Sequence, residues 1–211
     1  MSYQLEEAIL VKFKKNDFYQ RLEQHKLIAV VNDPSQIEKV IKYKEHISAV
    51  TLMTGNILTV KRYIDILQKE EIPVILHIEK IEGLKADHYG VDFIIEYVKP
   101  FGILTTKKSV MKQAKSKGAF VIQMVFLFDT GIYHNILDSL DDIKVDMLEI
   151  MPCRATDLLE EIVRLSPVPV VTGGLLTDIR YAKEALSIGV ASLATTNVEI
   201  WKRGVYGLLN E

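Results

Sequence analysis

The sequence predicts an α/β fold, a TIM-like (β/α)8 barrel with one extra helix at its N-terminus. Eight short runs of β-forming residues recur along the chain, and between them the apolar period changes from two to that of a helix. Such strict alternation demands parallel strands joined by right-handed crossovers. The 211 residues also meet the lower limit of about 200 for a closed barrel of this kind. The competing doubly wound sheet is disfavoured, because no Gly-x-Gly-x-x-Gly follows the first strand.

Residues 1–26 read as an N-terminal extension carrying a helix over 4–25. Leu5, Ile9 and Phe13 fall at i, i+4 and i+8, so with Phe18 they suit packing under the barrel or against a partner, including a second copy in a homo-oligomer. The barrel domain then runs over 27–211. Strand one is "LIAVV" (27–31), followed by Asp33-Pro34-Ser35-Gln36, an N-cap, a first-turn proline and a capping-box partner. Ile37, Val40 and Ile41 continue as a helix. "AVTLM" (49–53) is strand two, and Ile57, Val60, Ile64 and Leu67 are spaced as the helix after it. "VILHIE" (74–79) and "GILTT" (102–106) supply strands three and four. "AFVIQMVF" (119–126), "DMLEIMP" (146–152), "PVPVVTGG" (167–174) and "ASLATTN" (191–197) supply the rest. Pro73, Gly118, Pro169 and Gly189 punctuate helix-to-strand returns, and no linker or low-complexity stretch divides the chain.

Composition narrows the function. A net charge of −2 argues against a dedicated polyanion binder, though not against a local basic patch. The one cysteine, Cys153, suits a reducing cytoplasm. The N-terminal residues mix acids and lysines into their apolar positions, unlike a signal peptide, and no apolar run approaches the ~20 residues of a spanning helix. A soluble cytoplasmic protein without a membrane partner is expected.

Barrel sites lie at the C-terminal ends of strands, and a phosphate is often held between the loops after strands seven and eight. There stand Gly173-Gly174 and Thr196-Asn197. Glycines let an oxygen approach the backbone. The plainer readings are a tight turn at the glycines and a capping box from Thr196 to Glu199. His77 and Glu79 share a strand face by period two, Lys107 follows strand four, Asp129 follows strand five, and Glu149 lies within strand six. This set suits a polyol or acid–base work. Otherwise Glu79 and Asp129 are caps or solvated loop residues, and His77 is a bonded core histidine. A carboxylate inside a barrel is costly without a partner, so Glu149 calls for Lys107 or His77. His77, Glu79 and His88 have no firm metal-ligand spacing, so no metal is expected, nor any cofactor beyond a small effector. Between Glu96 and Asp129 no acid appears, while Lys99, Lys107, Lys108, Lys112, Lys115 and Lys117 do. Lys107, Lys108, Lys112 and Lys115 are the candidates to meet RNA phosphates; a solvated helix face is the plain alternative.

The stretch "LHIEKIEGLKADHYGVDFIIEYVKPFGILTTKKSV", with "VFLFDT", "LEIMP", "VTGG" and "ATTNVEIW", resembles the glycerol-uptake operon antiterminator family over about 27–202. That resemblance implies a cytoplasmic barrel regulator without turnover. It implies sensing of glycerol 3-phosphate, or another small phosphorylated ligand, and action on leader mRNA. Gly173, Gly174, Thr196 and Asn197 match the family's phosphate-side loops. His77, Glu82-Gly83, Asp87, Tyr89-Gly90, Lys107, Asp129 and Glu149 fall where similar sequences carry like residues. Three positions depart. Val31 and Met124 stand where the family typically has arginines, and Cys153 replaces the glycine of Leu-Pro-Gly. If either arginine touched the ligand, its loss removes a bond of roughly 1.5–3 kcal/mol. Two other accounts remain: a phosphosugar isomerase or aldolase using Lys107 with Glu149 or Asp129, and a scaffold acting through its N-terminal helix.

Overall fold

The computed structural model describes residues 13–209. Eight parallel strands close into a barrel in chain order, with the last pairing onto the first. They are β1 (Leu27–Val31), β2 (Ala49–Leu52), β3 (Val74–His77), β4 (Gly102–Thr105), β5 (Phe120–Phe126), β6 (Met147–Met151), β7 (Val170–Gly173) and β8 (Ser192–Thr195). Each lies inside its predicted run. Most stop short of its C-terminal end, because β-formers continue past the point where the ladder releases the chain. At β3 this matters: a 3-10 turn over Ile78–Lys80 begins directly after His77, so Glu79 leaves the pleat.

Helices pack outside the strands: α2 (Ile37–Lys42), α3 (Val60–Lys69), α4 (His88–Phe93), α5 (Lys108–Ser116), α6 (Thr130–Ser139), α7 (Thr156–Leu165), α8 (Ile179–Ser187) and α9 (Val198–Leu209). The Asp33 capping box forms as expected, opening a 3-10 turn ahead of α2. Ile57 belongs to the loop before α3 and is partly exposed. Strand parity divides the core in two. Ile28, Val30, Leu104, Ile122, Met124 and Val171 fill the barrel. Val31, Leu52, Leu76, Ile150 and Leu193 face the helices. Of the two departures from the family's arginines, only Met124 therefore lies inside the barrel.

The barrel's N-terminal end is closed by α1 (Lys15–His25). Lys14 is extended (φ −85°, ψ 151°), so the expected helix over 4–25 does not run continuously; Leu5 and Ile9 lie outside the described residues. Phe18 is fully buried, stacked on Phe101 at 4.6 Å and edge-on to Phe120 at 5.2 Å. Arg21 donates to the carbonyls of Ile47 and Ser48 at 3.0 and 3.1 Å. Asp146, ahead of β6, receives Lys15 at 2.5 Å, Lys115 at 2.8 Å and the Val121 amide at 2.8 Å. Burial tends to raise its carboxyl, but these donors outweigh that and hold it below the usual carboxylate range. Of the residues expected to pack under the barrel or against a partner, Phe13 and Phe18 meet the barrel floor at Phe101.

Candidate functional site at the barrel mouth

Glu149 sits in the middle of β6, in register with Met124 on β5 and Val171 on β7. It is 5% exposed, and among the described residues its carboxyl has neither an ion pair nor a hydrogen bond. Burial pushes it up to about 7. The expected pairing with Lys107 or His77 does not form. His77 turns to Glu79, and Lys107 is exposed on the loop before α5. The neighbour that could have reached Glu149 along the β5 register is Met124, which is apolar. A carboxyl in such a place is neutral over much of the ordinary pH range and offers an O–H donor to whatever enters.

Across the mouth, Nδ1 of His77 stands 3.0 Å from Oε2 of Glu79. That is ion-pair distance, but neither atom reaches hydrogen-bond geometry with any described group. The pair meets because the 3-10 turn folds Glu79 back, not because period two aligns them. Thr105 donates its hydroxyl to the other oxygen, Oε1 of Glu79, and accepts from the Lys107 amide at 3.1 Å. Burial acts to raise Glu79, yet the adjacent His77 imidazole and the Thr105 hydroxyl prevail and hold it below the usual carboxylate range. Sequence reasoning missed Thr105, whose role depends on the strand ending there.

The two glycines do different things. A Cβ on Gly173 would lie 2.5 Å from the Ala194 carbonyl oxygen, so close strand approach alone requires glycine. Gly174 has φ 71° and is exposed, as a turn presented to the mouth demands. Gly173→Ala is expected to cost about 1–3 kcal/mol through overpacking, read as a lower urea midpoint; an unchanged midpoint would show that β8 yields freely. Across the next loop Thr196 and Asn197 are exposed. The cap of α9 is Asn197, which accepts from the Glu199 amide at 3.0 Å, rather than the Thr196–Glu199 box. Arg154, also missed, leaves β6 beside this turn. Its guanidinium lies 4.0 Å over the Tyr181 ring and donates to Thr177 at 3.0 Å, with no acid paired to it among the described residues.

Asp129 is the N-cap of α6, accepting from the Ile132 amide at 2.9 Å. Asp87 caps α4 on the Gly90 amide at 3.1 Å, and a Cβ on Gly90 would collide with the Lys85 carbonyl. The lysine run divides. Lys115 is held by Asp146 at the far end, and Lys117 pairs with Asp92 and Glu96 at 3.1 and 2.8 Å. Lys107, Lys108 and Lys112 are exposed and have no ion pair among the described residues. A cavity of about 570 Å³ at the opposite end, lined by Phe13, Lys15, Lys99, Phe101 and Lys117 among others, holds none of the mouth residues.

A family described as glycerol-3-phosphate responsive antiterminator matches residues 27–201. The uncharacterized protein YgcP of Escherichia coli (strain K12) is 27% identical over 180 residues, covering 85% of this chain and 93% of its own. Two crystal structures share the fold. The glycerol uptake operon antiterminator regulatory protein of Listeria monocytogenes str. 4b F2365 has a TM-score of 0.78 at 21% identity, covering 84% of this chain and 95% of its own. An antiterminator-related protein of Thermotoga maritima MSB8 has a TM-score of 0.73 at 22% identity, covering 83% and 97%.

Proposed function

Since this chain belongs to the glycerol-3-phosphate responsive antiterminator family, we propose that it is a regulator that binds a small phosphorylated polyol, glycerol 3-phosphate first, in the barrel mouth, and acts on leader mRNA when it does. The observation that carries the ligand reading is Glu149: a buried carboxyl without a partner, aimed into a mouth that also holds the unsatisfied His77 Nδ1 and Glu79 Oε2. A buried carboxyl left without a partner is costly, and a ligand hydroxyl satisfies it. The phosphate belongs at the exposed Gly174 turn and Thr196, with Arg154 supplying charge near the turn. Met124 leaves this mouth without the family's arginine, so Arg154 becomes the main cation there.

The enzyme account fares worse. An imine-forming lysine is activated by desolvation or a neighbouring cation, whereas Lys107 is solvated at the start of α5. Melting temperatures with excess glycerol 3-phosphate, glycerol and inorganic phosphate test the proposal. At a hundredfold excess over Kd the ligand should stabilise by about 2.7 kcal/mol, roughly 5–10 °C in a domain this size. Glycerol 3-phosphate should exceed the other two. Equal shifts with every phosphorylated compound would reduce the site to a general anion cradle, and no shift at millimolar concentrations would remove the ligand.

A further inference from the structure

Beside the lysines that lack acid partners stand two rings that the ligand site does not use. Phe126 ends β5 and Phe128 follows two residues later. Their planes are 7° apart with centroids at 5.5 Å, and they are 36% and 78% exposed. The segment that carries them is fixed: the Leu127 amide donates to the Met151 carbonyl at 2.8 Å, the Phe128 amide to the Phe126 carbonyl at 3.1 Å, and Asp129 caps α6. The backbone therefore holds the rings face-parallel, with Phe126 partly covered and Phe128 largely open to water. β4 and β5 are neighbours, with Thr105 in register with Gln123, so the loop carrying Lys107 and Lys108 flanks the loop carrying the rings.

We infer that Phe126 and Phe128 form a stacking platform for the bases of single-stranded RNA, with Lys107, Lys108 and Lys112 tracking its phosphates. Stacking needs flat apolar faces free to receive a base, and a single strand needs cations along its backbone. Both are present on adjacent loops, and the acid next in sequence to Phe128, Asp129, caps α6 through the Ile132 amide. A second copy of the chain fits less well, because a two-fold contact through this patch sets the same lysines against each other. The platform deepens the regulator reading and rests on its RNA arm. It also lies one pleat above the proposed ligand site: Met124 pairs with Glu149, and Phe126 pairs with Met151, on the same two strands.

The experiment measures anisotropy of a fluorescein-labelled oligouridylate, and of its duplex with oligoadenylate, across a salt series with glycerol 3-phosphate present and absent. Phe128→Ala, whose ring is mostly solvated, should melt like the unaltered protein and bind the single strand about tenfold to a hundredfold more weakly. Its slope of log affinity against log salt should be unchanged. The triple variant Lys107→Ala, Lys108→Ala, Lys112→Ala should lower that slope by about two. The duplex should bind less tightly than the single strand. Equal RNA affinity in Phe128→Ala and in Phe126→Leu overturns the platform and leaves the regulator reading in place. A dimer that Phe128→Ala dissolves, seen in sedimentation, also overturns it in favour of a protein interface. No RNA binding by the unaltered protein under either ligand condition removes the platform and the RNA arm together.

Discussion

At about pH 8, Glu149→Gln is expected to stabilise the ligand-free protein by about 3 kcal/mol, and at pH 4.5 to leave it nearly unchanged. Burial raises this carboxyl from the ordinary 4.5 to about 7 in the fold. Below the ordinary value both folded and unfolded chains carry it neutral, and it costs nothing. As pH rises from there to about 7 the unfolded chain loses its proton first, so the folded state loses stability across that window, and the loss is then constant at higher pH. Glutamine keeps the shape and never ionises. Glu79 and Asp146, both held low, act in the opposite sense: their contribution is present above the ordinary carboxylate range and is lost on acidification. The difference between variant and unaltered protein at each pH therefore isolates Glu149. Urea titrations at both pH values measure it. An equal difference at the two would mean that the fold does not raise the Glu149 carboxyl, which would also remove the desolvated, unpartnered group on which the ligand reading rests. Glutamine retains an N–H donor, so glycerol 3-phosphate should still stabilise the variant.

All eight strands were legible because each is a concentrated run of β-formers closed by a turn signal, and the Asp33 box shows that local capping chemistry was legible too. Side-chain direction was not. Strands buried on both faces read as continuous apolar runs, so nothing in "LIAVV" says that Val30 faces inward and Val31 outward. That one-residue parity separates the departure that concerns the site, Met124, from the one that does not. The Glu149 pairing failed for a related reason: β3 and β6 are not neighbours, and nothing in sequence spacing reports how far His77 or Lys107 stands across a closed barrel. Thr105 and Arg154 act through loop geometry after the strand ends, which has no periodic signal. Lysine counting found the basic segment but not its division, since the acids that neutralise Lys115 and Lys117 come from elsewhere in sequence or from the preceding helix. Phe126 and Phe128 gave a family motif but no hint of exposure.

Phe18→Ala is expected to cost about 3–5 kcal/mol, lowering the melting temperature by on the order of 10 °C. The ring is fully buried between α1 and the barrel floor, stacked on Phe101 and edge-on to Phe120, and the Arg21 and Lys15 contacts tie the same helix to the barrel. This separates two views of the extension. A helix kept for an external partner would be dispensable to the fold, so its truncation or the loss of Phe18 would move stability by less than about 1 kcal/mol, within the usual range for surface changes. A helix that completes the core cannot be removed so cheaply, and deleting residues 1–25 should expose Phe101 and Phe120 and favour aggregation. The mouth provides the control. Phe18 lies at the opposite end from Glu149 and Gly174, so glycerol 3-phosphate should raise the stability of Phe18→Ala by the same increment as that of the unaltered protein, because linkage depends on affinity for the folded state alone. A smaller increment would mean that the floor and the mouth are energetically coupled, and that α1 sets the ligand affinity as well as the fold.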